Sequence, residues 1–138
     1  MDDSSKLDTI LPHTAPVCGD ARILLFTIRR MAIHGLHDAF AANAMLAGYG
    51  MRYRKPLVLL RALLVDIART ARGNIIVAPC CTPRMTAHEF ALLSAICDPE
   101  IGKDLIHPLL KPHRATSAVP TITALNETLG EMGRPLAI

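Results

Sequence analysis

Residues 21–47 read ARILLFTIRRMAIHGLHDAFAANAMLA, and after a short basic connection residues 56–72 read PLVLLRALLVDIARTAR. In the first stretch apolar side chains recur with a 3.6-residue period. Leu24, Leu25, Ile28, Ala32, Leu36, Ala39 and Leu46 share one face, with Phe26, Ile33 and Phe40 at its edge. Thr27, Arg30, His34, His37 and Asp38 gather opposite. The second stretch places Leu59, Leu60, Leu63, Leu64, Ile67 and Ala71 on one face and Val58, Ala62 and Val65 on another. A helix that is apolar around most of its girth requires contact on more than one side. The pattern predicts two long helices, the first uninterrupted over 21–47, the second over 56–72. Asp20 can cap the first, and Gly48 and Gly50 can end it because glycine adopts backbone angles that other residues avoid. Pro56 suits the first turn of the second, which closes at Gly73 and Asn74.

Beyond these, Ile75 to Ala78 has strand propensity but no neighbouring strand signal, so it is expected either to pair across a dimer or to run as an extended, buried connection. Pro79 and Pro83 bracket Cys80-Cys81-Thr82. Thr86 and Glu89 then stand at capping-box spacing before a third helix over 87–97, with Phe90, Leu93, Ile96 and Cys97 facing inward. Asp98-Pro99-Glu100 can start a short helix that Pro108 disturbs, and Ile122, Leu125 and Leu129 mark a last one over 121–132. The expected fold is mainly α: a compact bundle of two long and two or three short helices with an extended Cys-containing connection. Residues 1–19 are expected to form a flexible arm, 20–110 the helical core domain, and 111–138 a linker and short C-terminal helix packed on the same domain.

Composition agrees with helices. The 138 residues are 51% hydrophobic but only 4% aromatic, so Leu, Ile, Val, Met and Ala must fill the core. Between Leu57 and Leu64 the chain is nearly all apolar, but Arg61, Asp66 and Arg69 interrupt it well short of the ~20 residues a membrane span needs. The acidic start, MDD, lacks the basic and apolar regions of a signal peptide. Four cysteines, two adjacent, suit a reducing cytoplasm better than a secreted scaffold.

The net charge of +3 is unevenly spread. Ten basic residues between Arg22 and Arg84 face only Asp38 and Asp66, whereas the rest of the chain holds five basic and ten acidic residues. The two parts can attract each other within the fold or across a dimer. A nucleic-acid surface using Arg52, Arg54 and Lys55 is the other reading. No aromatic platform and no zinc-finger, KH or RNP pattern accompanies these cations.

Two groups of residues can carry chemistry. On a continuous helix His34 and Asp38 stack one turn apart with His37 beside them, giving two imidazoles and a carboxylate suited to zinc or iron, or to proton transfer. The same trio equally serves as a polar cluster in which Asp38 orients a histidine. The second group is Cys80 and Cys81, followed by Arg84, His88 and Glu89. Thiols near a helix N-terminus and an arginine are expected to be acidified and therefore reactive or metal-binding. Neighbouring cysteines do not form a CxxC-type redox pair, because a disulfide between them closes a strained ring. They can also be small side chains buried in a turn, and Arg84 with Glu89 can be a local ion pair. If the helices bring His34 and His37 to Cys80 or Cys81, a Cys/His metal site results. No GxGxxG, P-loop or GxSxG motif is present, and Ser4, Ser5, Ser94 and Ser117 have no motif around them.

The stretch RMAIHGLHDA at 30–39, the Arg61-Ala62-Leu63 run and PCCTPRMT at 79–86 with Glu89 resemble a family of small uncharacterised alphaproteobacterial proteins, a domain of unknown function. The resemblance covers roughly residues 20–97 and implies no activity. The expectation is therefore a helical protein that self-associates as a homo-oligomer or binds a protein partner. The alternatives are a zinc- or iron-binding or thiol-dependent protein and a nucleic-acid-binding regulator. None of these residues specifies a reaction.

Overall fold

The structure is a computed structural model that describes residues 11–112 and 118–138. Its helices are α1 (Gly19–His34), α2 (Ala39–Tyr49), α3 (Arg54–Thr70), α4 (Ala87–Cys97), α5 (Pro99–Ile106) and α6 (Ala118–Glu131). Short 3-10 turns follow α2 and α5, at Gly50–Arg52 and His107–Leu109. Two short strands, β1 (His13–Thr14) and β2 (Arg84–Met85), pair antiparallel with His13 opposite Met85. Packing is densest for α1 on α2, α3 on α6 and α4 on α5. Together the helices enclose a core in which Leu24, Leu60, Leu63, Leu93, Leu125 and Leu129 are wholly buried.

The largest departure from expectation is in the first stretch, where one long helix is two. Gly35 has φ 104°, donates its N–H back to Met31 and ends α1. That backbone angle is open to glycine and strained for other residues. Asp38 then caps α2, its Oδ2 accepting from the Ala41 N–H at 2.9 Å. The break re-phases the buried face. Ala41, Met45 and Tyr49 point inward, whereas Phe40 is 64% exposed and Leu46 also faces out. α3 holds closer to expectation. It starts two residues before Pro56, ends at Thr70, and buries Leu57, Leu60, Leu63 and Ile67.

Other elements follow from local chemistry. The Thr86 capping box forms in full and starts α4. Asp98 caps α5 through the N–H groups of Glu100 and Ile101. α6 begins at Ala118, so the segment read as a linker over 111–120 is shorter than expected, and 113–117 lies outside the described residues. The Asn126 amide donates to the carbonyls of Ile96 and Cys97, satisfying the end of α4 from α6. Gly102 permits the closest approach, because a Cβ there would stand 2.1 Å from the Ala95 Cα.

Both termini of the described chain are tied down. Within the arm expected over 1–19, Leu11, His13 and Ala15 contact the rest of the chain. Ala15 donates its N–H to Pro83, Arg84 donates to the Leu11 carbonyl, and the His13 ring stacks on Phe90 at 3.8 Å. Residues 1–10 lie outside the described residues. At the other end Arg134 bonds Asp20 at the start of α1 and the Gly48 carbonyl in α2, with its guanidinium over the Tyr49 ring.

Candidate functional site

α1 carries an arginine on its buried side. Arg29 is 2% exposed and Glu89, in the first turn of α4, is fully buried. Their bond is two-pronged: Nε donates to Oε2 at 2.7 Å and Nη2 to Oε1 at 3.1 Å. The remaining contacts of Arg29 go to the carbonyls of Thr82 and Arg84, each at 2.8 Å. Glu89 also accepts from the N–H groups of Thr86 and Ala78. The capping carboxylate thereby joins α1, the 76–78 run, the 82–86 loop and α4. A buried ion pair persists only when the remaining lone pairs and protons are satisfied in this way. Arg29 went unrecognised in the sequence, although its place one turn after Leu25 and beside Ile28 puts it on the apolar face. Glu89 pairs with this distant arginine, and Arg84 contributes its carbonyl, in place of the expected local Arg84–Glu89 ion pair.

The same helix start organises the extended run. His88 Nδ1 accepts from the Ile76 N–H at 2.8 Å, and the Thr86 hydroxyl donates to the Ile76 carbonyl at 2.7 Å. Side chains thus take the place of a partner strand for the residues with strand propensity.

Pro79 to Thr82 forms a turn closed by the Thr82 N–H and hydroxyl on the Pro79 carbonyl. Cys81 occupies its third position at φ 72° and is the single non-glycine residue with positive φ among those described. Holding a residue with a Cβ there costs about 1–3 kcal/mol. The two Sγ atoms stand 3.5 Å apart, and all four cysteines are free. Cys81 is exposed and Cys80 half-buried. The acidified thiol expected from helix and arginine is corrected at Cys80. Burial, the hydrogen bond with Cys81 and the neighbouring Cys81 charge push its pKa up, against the opposing pull of Arg30 and Arg29.

The His34–His37–Asp38 trio is not a helix stripe, because the break at Gly35 separates His34 on α1 from Asp38 at the cap of α2. His34 and His37 are exposed. Asp38 receives Arg30 through Nε at 3.0 Å and Nη2 at 2.9 Å, and Arg30 also covers the Phe40 ring at 4.7 Å. The Arg30 hydrogen bond holds the Asp38 carboxyl below its ordinary range, burial opposing. Among the described residues no three His, Cys, Asp or Glu side chains converge on a common metal position. His34, His37, Asp38, Cys80 and Cys81 are accordingly not assembled there as one ligand set.

Two open cavities flank this junction. An apolar groove of about 410 Å³ lies between α1, α3 and the 73–77 segment, lined by Ile28, Leu36, Leu64, Val65, Ile75 and Val77 among others. A second cleft of about 450 Å³ is walled by Leu25, Phe26, Arg22, Arg29 and Cys81. Most of the basic stretch is engaged at home. Arg22, Arg61 and Arg72 donate to the carbonyls of Pro16, Leu36 and Leu110, and Lys55 lies 3.9 Å from Glu131. The uneven charge is therefore bridged inside the chain by Arg29–Glu89 and Lys55–Glu131. Among the described residues no helix is long and apolar enough to cross a membrane.

The chain matches, over residues 1–134, the family described as "Family of unknown function (DUF6628)", and it belongs to that family. No curated protein and no solved structure matches it.

Proposed function

We propose that this member of a family of unknown function is a cytoplasmic helical binding module, without a reaction of its own, that acts by self-association or by holding an apolar segment of a protein partner. The observation that carries this reading is the open groove between α1 and α3. Its lining is apolar apart from Asn74, and it stands beside exposed Ile76 and Ile33, each 55% accessible. A concave apolar surface bordered by further exposed aliphatic residues gains about 25 cal/mol for each Å² it removes from water on contact.

Ala68 lines the groove from the exposed side of α3, so Ala68→Glu places a charge there without entering the core. Light scattering of the full chain is expected to show a mass above the monomer that Ala68→Glu reduces, or a partner recovered by the parent chain and lost by the variant. A chain that stays monomeric and whose recovered partners ignore Ala68→Glu refutes the groove as the contact surface.

A further inference from the structure

Cys80 and Cys81 hold their sulfurs 3.5 Å apart, and Cys81 sits on the wall of the 450 Å³ cleft. We propose that this pair is a binding site for a trivalent, thiophilic metalloid of the arsenical class, held by both sulfurs with its third substituent directed into the cleft. The inference is independent of the apolar groove.

The spacing discriminates between kinds of centre. An atom about 2.3 Å from each sulfur, the length of an ordinary metal–thiolate bond, subtends roughly 100° between sulfurs at this separation. A linear, two-coordinate Cu(I) needs its sulfurs about 4.6 Å apart, twice that bond length. Tetrahedral zinc asks for four ligands. Among the described residues no third His, Cys, Asp or Glu joins a metal group with these thiols. A trivalent arsenical is pyramidal, with bond angles near a right angle, and takes two thiols plus one other substituent. The pair meets that demand.

The surroundings agree. Cys81 stands at positive φ in the turn position where glycine is the ordinary choice, so its side chain occupies a place that disfavours one. Leu25 and Phe26 give the cleft an apolar wall for an organic substituent, and Arg22 and Thr14 add polar lining. The chemistry needs no ionised thiol and no oxidant. In the hydrated arsenical two As–O bonds break as two S–H bonds break. Two As–S bonds form, both hydroxyls leave as water, and arsenic keeps its oxidation state. Cys80, whose thiol is kept protonated, supplies the proton for one departing hydroxyl, and the Cys81 S–H supplies the proton for the other.

The test is titration of the reduced full chain with phenylarsine oxide, followed by intact mass and peptide mapping. One arsenical per chain on the 80–81 peptide is expected, resistant to excess glutathione and removed by a dithiol. Cys80→Ser and Cys81→Ser are each expected to weaken binding about 100-fold, because the second bond is intramolecular. Cys81→Gly relaxes the turn while deleting one sulfur, and is expected to lose binding with the fold intact. Arsenical mapped to Cys18 or Cys97, an adduct stripped by glutathione, or retention in any of the three variants overturns the proposal.

Discussion

Glu89 accepts from three groups, the Arg29 guanidinium and the Thr86 and Ala78 N–H groups, and its carboxylate is fully buried. Deleting it leaves a buried guanidinium without its counter-charge and two amides without an acceptor. Glu89→Ala is therefore expected to destabilise the chain by about 3–5 kcal/mol, measured as a shift in the urea midpoint. Cys81 presents the opposite case. Its positive φ is strained for any residue with a Cβ, so Cys81→Gly is expected to leave stability unchanged or raise it by about 1 kcal/mol in the same measurement. Of the Arg29–Glu89 pair the sequence disclosed Glu89 more readily. Thr86 and Glu89 form a local motif four residues long, readable without knowing the fold. Arg29, sixty residues from its partner, could be seen only as an arginine on the wrong side of a wheel.

At the scale of helices, the contrast between Gly48 and Gly102 tests how the pairs are joined. A Cβ at Gly102 meets the Ala95 backbone at 2.1 Å, whereas one at Gly48 meets the tip of the Ile23 side chain at 2.4 Å. Backbone cannot step aside and a side-chain end can. Gly102→Ala is expected to lose about 1–3 kcal/mol by prising α5 from α4, and Gly48→Ala visibly less, in thermal unfolding. The α1–α2 junction adds a pH dependence. Because Arg30 depresses the Asp38 carboxyl, its contribution is complete above the unfolded value near 3.8 and disappears as pH falls through the lower folded value. Wild type and Asp38→Asn should differ in stability at neutral pH and converge in strong acid. This junction is also where periodicity misled. The apolar spacing over 21–47 runs through Gly35 without a visible fault, and a wheel has no way to register one residue at positive φ. With the break hidden, His34 and Asp38 read as stacked neighbours, and Leu46 and Phe40 as core. Helix existence was legible in the chain because burial repeats over many residues. Helix continuity rested on one.

Across the whole molecule, the C-terminal segment is joined to α1 and α2 by Arg134, which bridges Asp20 and the Gly48 carbonyl while its charge covers Tyr49. The Tyr49 hydroxyl is buried without a hydrogen-bond partner among the described residues, and its pKa is pushed up to about 12, chiefly by burial and then by Asp20. The fold thus disfavours the ionised phenolate. No stability is lost on this account below the unfolded value of 10.0, and stability falls as pH rises towards 12. Ultraviolet titration should show this tyrosine ionising late, and Tyr49→Phe should flatten the alkaline loss of stability. The Arg29–Glu89 pair has a further consequence for how the chain is made. A ribosome adding about 5–20 residues each second needs roughly 3–12 s to pass from Arg29 to Glu89, which lie 60 residues apart. During that interval α1 has a cation where its inner face should close. The contact of α1 with α4 therefore closes only once Glu89 has been added, whereas the packing of α1 on α2 needs no residue beyond the first half of the chain.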